Sequence, residues 1–271
     1  MNESVSKHRK KLNAGQLEVL SLLYKFRFGT NDLFAQYFGK KDRSFVYKRL
    51  LILLEQGLVG KRFDGSYRLQ GKPAAYYLTP DGARKLQETR DIEVNTKAIY
   101  KDKDVSEQFV RYRLELFAIH NKLKAQYGDA LKFFTKSNLN REEFDYFPQP
   151  LPDAYIRLGV NGEEKQFFLD VFRDDQPYFV AVRKLKQYIG YDEEADWSVT
   201  ETNLPFVLVV CESSGLVKRV QKRMVKIMNE ACSDSEVVFV LTTKAELFGD
   251  DMAVWQKADD PGEMLTLRDI Q

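Results

Sequence analysis

The sequence predicts an α/β chain, α+β overall, in two domains: three helices with a hairpin, then a larger α/β domain. Three observations predict it. At 271 residues the chain exceeds the usual size of one core, and 44% apolar residues suffice to fill two. Hydrophobic periods of helix and strand follow one another in a different order in the two parts. Charge is divided as well: residues 1–100 hold 19 Lys and Arg against 10 Asp and Glu (+9), the remainder 23 against 30 (−7), behind a total of +2. A basic end on an acidic body suits a polyanion, and charge alone admits DNA, RNA or a membrane surface.

In the first part, Leu17, Leu20, Leu23 and Tyr24 make the apolar stripe of a helix predicted over Ala14–Phe26. Gly29-Thr30 ends it, and Thr30 is the expected N-cap of a second helix, Asn31–Phe38. Asp42 is expected to cap a third, Arg43–Gln56, with Val46, Leu50, Leu53 and Leu54 facing inward. Gly57 closes it, and a hairpin follows: Val59–Phe63, a turn at Asp64-Gly65, Tyr67–Leu69, then a further extended piece Ala74–Leu78. Thr79-Pro80 opens another helix, with Pro at the first helical position. Three short helices followed by a hairpin are the arrangement of a winged helix-turn-helix, predicted over residues 1–90.

The outer face of the third helix carries Ser44, Tyr47 and Lys48, with Lys41 and Arg43 at its start and Lys61, Arg62 and Arg68 on the wing. Arg and Lys can read guanine in a major groove, and Ser or Tyr can reach phosphate. Double-stranded DNA is therefore the expected partner, bound without any cofactor. An ordinary solvated face is the competing account. Winged-helix proteins often form homodimers, but no heptad helix specifies one here.

Residues 91–104 are polar and charged without a period and are expected to be the linker to a second domain, 105–271. Val105, Phe109, Tyr112, Leu116, Ile119 and Leu123 give a long core-facing helix. Strands are predicted at Leu131–Thr135, Pro205–Cys211 and Glu236–Leu241, the last two almost wholly apolar as central strands are. Leu208 and Phe239 are expected to be buried in neighbouring strands. Leu216–Glu230 is an amphipathic helix with basic residues between its apolar positions.

Composition excludes several chemistries. With His8 and His120 alone, a histidine-rich metal site and a histidine triad are both unsupported. Cys211 and Cys232 stand in no CxxC spacing and suit packing in an intracellular, cytoplasmic protein. No phosphate-binding glycine loop appears. No apolar run is long enough to span a bilayer, and residues 1–12 lack the apolar centre of a signal peptide.

The stretch around which the second domain is organised runs from Pro152 to Tyr188. An apolar segment begins at Pro152-Asp153 and turns over at Gly159–Glu164; a strand Gln166–Phe172 follows with Asp170 in it, then a helix predicted over Pro177–Tyr191. With period 2, Asp170 shares a face with Phe168 and Phe172, and Asp153 lies across the hairpin. Two converging carboxylates can hold a divalent cation against a phosphodiester. The alternative is a lone edge Asp and a solvated turn Asp.

Pro152-Asp153-Ala154, Phe168-Leu169-Asp170 and Lys184-Leu185 with Tyr188 resemble the replication-relaxation family, whose C-terminal half resembles the PD-(D/E)XK nuclease fold. The resemblance implies a tie to plasmid or mobile-element replication and mobilisation, with replication or DNA-transfer proteins as partners. It also implies Asp153 and Asp170 as metal ligands. In that fold a lysine stands two residues after the second acid; here Phe172 does, and Lys184 or Lys186 on the following helix is the expected substitute, Lys184 the nearest. Two readings remain: a DNA-binding accessory protein whose second domain does not cut, or a Mg2+-dependent endonuclease using Asp153, Asp170 and Lys184. Mg2+ is required only by the second.

Overall fold

The computed structural model describes residues 11–90, 99–139, 144–194, 196–200, 202–230 and 235–271. The chain is mixed α/β and divides into two compact units, residues 1–121 and 122–271.

In the first unit, helix α1 (Ala14–Phe26) begins at a reciprocal cap. The Asn13 side chain accepts the Gln16 N–H at 2.9 Å, and the Gln16 side chain accepts the Asn13 N–H at 2.9 Å. Strand β1 (Phe28–Gly29) leads to α2 (Asn31–Tyr37), capped by Thr30 as expected. Then come α3 (Ser44–Glu55), β2 (Val59–Arg62), α4 (Gly65–Leu69), β3 (Ala75–Leu78) and α5 (Pro80–Arg90). The three strands form an antiparallel sheet in the order β1-β3-β2, with Phe28 opposite Tyr77 and Val59 opposite Leu78. Leu20, Leu23, Phe26, Phe34, Leu50 and Leu53 fill the space between helices and sheet.

Two local features differ from expectation. The second arm of the predicted hairpin, Tyr67–Leu69, belongs to helix α4, and the strand that pairs with β2 is β3. Asp64 is the cause: its carboxylate accepts the N–H groups of Ser66 (2.9 Å) and Tyr67 (3.1 Å) and so caps a helical turn. Asp42 likewise accepts the Ser44 N–H at 2.8 Å, but α3 proper starts one residue later than expected, at Ser44.

Of the predicted linker, residues 91–98 lie outside the described residues. Among the rest, Ile99 and Asp102 are buried, and Asp102 forms an ion pair with Arg27. Burial raises the Asp102 carboxyl, and the Arg27 guanidinium opposes that rise. Helix α6 (Glu107–Tyr127) runs across the division between the units. Its residues up to Asn121 complete the first core: Phe117 stacks on Phe26 with centroids 4.4 Å apart, and the Asn121 amide donates to Leu33 O at 2.9 Å.

The second unit contains β4 (Leu131–Thr135), α7 (Lys136–Leu139), β5 (Ala154–Val160), β6 (Glu163–Phe172) and α8 (Tyr178–Glu193). After these come β7 (Phe206–Cys211), α9 (Ser214–Glu230), β8 (Phe239–Thr243), α10 (Lys244–Phe248) and β9 (Gln256–Lys257). One sheet runs β4-β5-β6-β7-β8-β9. Its centre, β6-β7-β8, is parallel and its flanks are antiparallel. Leu208 and Phe239 are buried in the neighbouring strands β7 and β8, as expected. Asn161 (φ 52°) and Gly162 (φ 90°) turn β5 into β6, the left-handed pair that a two-residue hairpin needs.

Helices α8 and α9 lie on the sheet face that carries Tyr155, Phe168, Phe172, Val209 and Phe239. Phe147, from the loop before β5, joins that core edge-on to Tyr155 and Trp197. The loop aromatics thus cover the sheet. Cys211 is buried here, and burial pushes its thiol up to about 12, which suits packing.

Candidate functional site

Strand register assembles the carboxylate pair. Ala154 pairs with Leu169, so Asp153, the residue just before β5, and Asp170, one step further along β6, stand side by side. The Asp153 N–H donates to Asp170 Oδ1 at 3.2 Å, and the Val171 N–H donates to Asp153 Oδ2 at 3.0 Å. Two lysines close on the pair. Lys136 Nζ donates to Asp153 Oδ1 at 2.8 Å, and Lys184 Nζ lies 3.4 Å from Asp170 Oδ1. Lys184 also donates to the carbonyls of Pro150 (2.9 Å) and Leu151 (2.7 Å). The remaining oxygen, Asp170 Oδ2, accepts the Tyr188 hydroxyl at 2.6 Å.

Each of the four carboxylate oxygens thus faces at least one protein donor, and the two ammonium groups balance the two carboxylates. Asp170 is only 1% exposed. Burial raises its carboxyl above the usual range; Lys184 opposes the rise, Asp153 adds to it, and the Tyr188 hydrogen bond opposes it. Burial, then the Asp170 charge, hold the Tyr188 phenol well above its ordinary value, so it remains a donor. A divalent cation approaching the Oδ1 atoms of these carboxylates meets Lys136 and Lys184 there. Among the described residues, no three or more His, Cys, Asp or Glu cluster as a metal site.

Lys136 was not legible as a site residue. Its place depends on the pairing of β4 with β5, where Thr135 opposes Ala154 and so brings Lys136 beside Asp153. Tyr188 lies one helical turn after Lys184, and that i, i+4 spacing is the signal that puts both side chains on one face of α8.

In the first unit, α3 presents Ser44, Phe45, Tyr47, Lys48, Leu51 and Ile52 outward. Lys41 and Lys48 are exposed, and Arg43, 68% exposed, pairs with Asp32 at 2.9 Å. The Ser44 hydroxyl donates to Asp42 at 2.6 Å. On the wing, Lys61 and Arg68 are exposed, 4.9 and 5.9 Å from the centroid of the Phe63 ring. Arg62 is held otherwise: it donates to Val105 O at 2.7 Å and to Glu107 at 2.5 Å. Seven of the eight residues predicted to meet DNA therefore stand at the surface, and Arg62 is tied into the fold.

No family model and no curated protein matches the chain. Among solved structures, the restriction endonuclease FokI matches at 10% identity and a TM-score of 0.34, over 86% of this chain and 42% of that one. FokI bound to DNA matches at 11% identity and a TM-score of 0.34, over 86% and 43%. The chain spans less than half the length of these structures. Among the described residues, no helix is long and apolar enough to cross a membrane.

Proposed function

We propose that the chain is a duplex-DNA-binding accessory protein whose second unit keeps a nuclease-like carboxylate pair in a closed, non-cutting form. DNA binding is carried by the first unit: three helices and an antiparallel sheet leave one face of α3 and a basic wing outward, over Lys41, Arg43, Ser44, Tyr47, Lys48, Lys61 and Arg68. We read this as a winged helix with α4 between its two paired strands, a fold in which the helix enters the major groove. The single observation behind the non-cutting reading is the occupancy of all four oxygens of Asp153 and Asp170 by Lys136, Lys184, Tyr188 and two backbone N–H groups. A cation that must bridge phosphate and carboxylate finds those oxygens already engaged. The resemblance of the Pro152–Tyr188 motifs to the replication-relaxation family adds the setting, plasmid or mobile-element replication and mobilisation, with replication or transfer proteins as further partners.

A second reading keeps the same residues as a Mg2+-dependent endonuclease. Its support is the convergence of the pair itself, with Lys184, 3.4 Å from Asp170, as a substitute for the missing lysine.

One experiment separates them. The full chain binds a duplex of about 30 base pairs with an affinity that falls steeply with salt, at about 0.9 in log K per decade for each phosphate neutralised. Lys48→Glu weakens binding while leaving the circular dichroism spectrum unchanged, because Lys48 lies outside the Val46–Leu50–Leu53 core. Unaltered affinity for that variant removes α3 from the interface. Supercoiled DNA with Mg2+ or Mn2+ stays intact in the presence of the parent. Cleavage that disappears in Asp170→Ala promotes the endonuclease.

A further inference from the structure

The second unit carries a net negative charge, yet one of its faces is basic. Helix α9 bears Lys218, Arg219, Lys222, Arg223 and Lys226, with no carboxylate from Ser214 to Asn229. Lys218, Arg219, Lys222 and Lys226 are exposed. Helix α8 packs on the same sheet face and adds exposed Arg183 and Lys186, with no carboxylate from Tyr178 to Tyr191. Among the described residues, no carboxylate pairs with Lys218, Lys222, Arg183 or Lys186; Lys226 alone meets one, Glu230, at 3.6 Å.

Such a row works against helix stability. Lys218 and Lys222, Lys222 and Lys226, and Arg219 and Arg223 are like charges at i, i+4, where opposite charges stabilise and like charges destabilise. Local rules broken without local gain point to a ligand. A basic amphipathic helix commonly serves a membrane surface or a partner's groove through its apolar side. That side is unavailable here, because Leu216, Val217, Val220, Met224 and Ile227 are buried in the core of the second unit. What remains is charge, in rows stepped about 6 Å along the axis, and the duplex DNA already taken as the ligand of the first unit offers the matching partner, a phosphodiester backbone.

We propose that the outer faces of α8 and α9 form a second nucleic-acid surface, which binds the phosphate backbone of duplex DNA without reading its sequence. It rests on the reading above only in taking duplex DNA as the ligand. Arg219 is partly positioned already, with its guanidinium 5.3 Å from the centroid of Tyr178.

The test is the salt dependence of duplex binding by the full chain, measured by fluorescence anisotropy. The triple variant Lys218→Gln, Lys222→Gln, Lys226→Gln lowers the slope of log K against log salt by about 2–3, near 0.9 for each phosphate no longer neutralised. The matching triple Lys→Arg variant keeps the parent slope, which separates removal of charge from altered folding. An unchanged slope in the Gln variant, with Lys48→Glu still weakening binding, overturns this surface and leaves the first-unit reading standing. The reverse pattern overturns the first-unit reading and keeps this one. If the parent does not bind DNA at all, both fall. If the Gln variant loses binding to phosphatidylserine vesicles while its DNA slope is unchanged, the surface belongs to a lipid headgroup layer and the proposal is wrong.

Discussion

Phe168→Ala lowers the stability of the second unit by about 3–5 kcal/mol, the range for a fully buried aromatic truncated to alanine. The upper part of that range is expected because the neighbours cannot collapse into the space. Phe168 is fully buried on β6, and its ring meets five others. Tyr188 stacks on it at 5.7 Å, Phe147 and Trp197 meet it edge-on at 5.6 and 5.5 Å, and Tyr155 and Tyr191 lie at 6.0 and 6.5 Å. Rigid rings on a sheet, a loop and two helical segments have no flexible end with which to fill a void. Tyr188 loses its stacking partner while still donating to Asp170, so the cavity also loosens the carboxylate pair. Hydrogen exchange of the β6 and β7 amides reports this unit without contribution from the first. A loss of less than about 1 kcal/mol by that measure would mean that the aromatic cluster is not close-packed.

Most of the elements were legible because their signals are local. The stripe Leu17–Leu20–Leu23–Tyr24 and the glycine after Phe28 gave α1 its observed bounds, Ala14–Phe26. The unbroken apolar run Phe206–Cys211 could only be a strand covered on both faces. Residues whose role depends on pairing partners were harder to read. β1 is two residues long and exists only because Phe28 and Gly29 meet Tyr77 and Tyr76. Asp64-Gly65 has the composition of a hairpin turn, but the Asp64 carboxylate caps α4 instead, a competition between two uses of the same side chain. In the site, the facing of Asp153 and Asp170 followed from period 2 and one hairpin. Lys136 depended on the register of a third strand, which no local pattern encodes. The basic row on α9 was visible as composition; its meaning required knowing that the apolar side of that helix is already covered.

Lys184→Met destabilises the chain by about 3–5 kcal/mol at neutral pH, the cost of leaving one member of a buried ion pair alone. Asp170 is the member left behind, at 2% side-chain exposure against 12% for Lys184. Burial already raises the Asp170 carboxyl above its unfolded value of about 3.9, and Lys184 is the chief influence opposing that rise. The folded state therefore holds the Asp170 proton more tightly than the unfolded state does. Its contribution to stability is greatest in acid and is lost as pH rises through the folded value. Without Lys184 the folded value climbs further, so the window of loss extends toward neutral pH. Lys184→Met should accordingly recover much of its stability as pH falls toward about 4, where a protonated Asp170 needs no cation. The carbonyls of Pro150 and Leu151 also lose their donor, but that cost does not vary with pH. Adding Asp170→Asn to Lys184→Met removes the stranded charge, so the double variant should exceed the single in stability at about pH 7 and show a flatter pH profile. Equal stability of the single and double variants across this range would show that Asp170 carries no buried charge, and the lysine would then have no carboxylate to close.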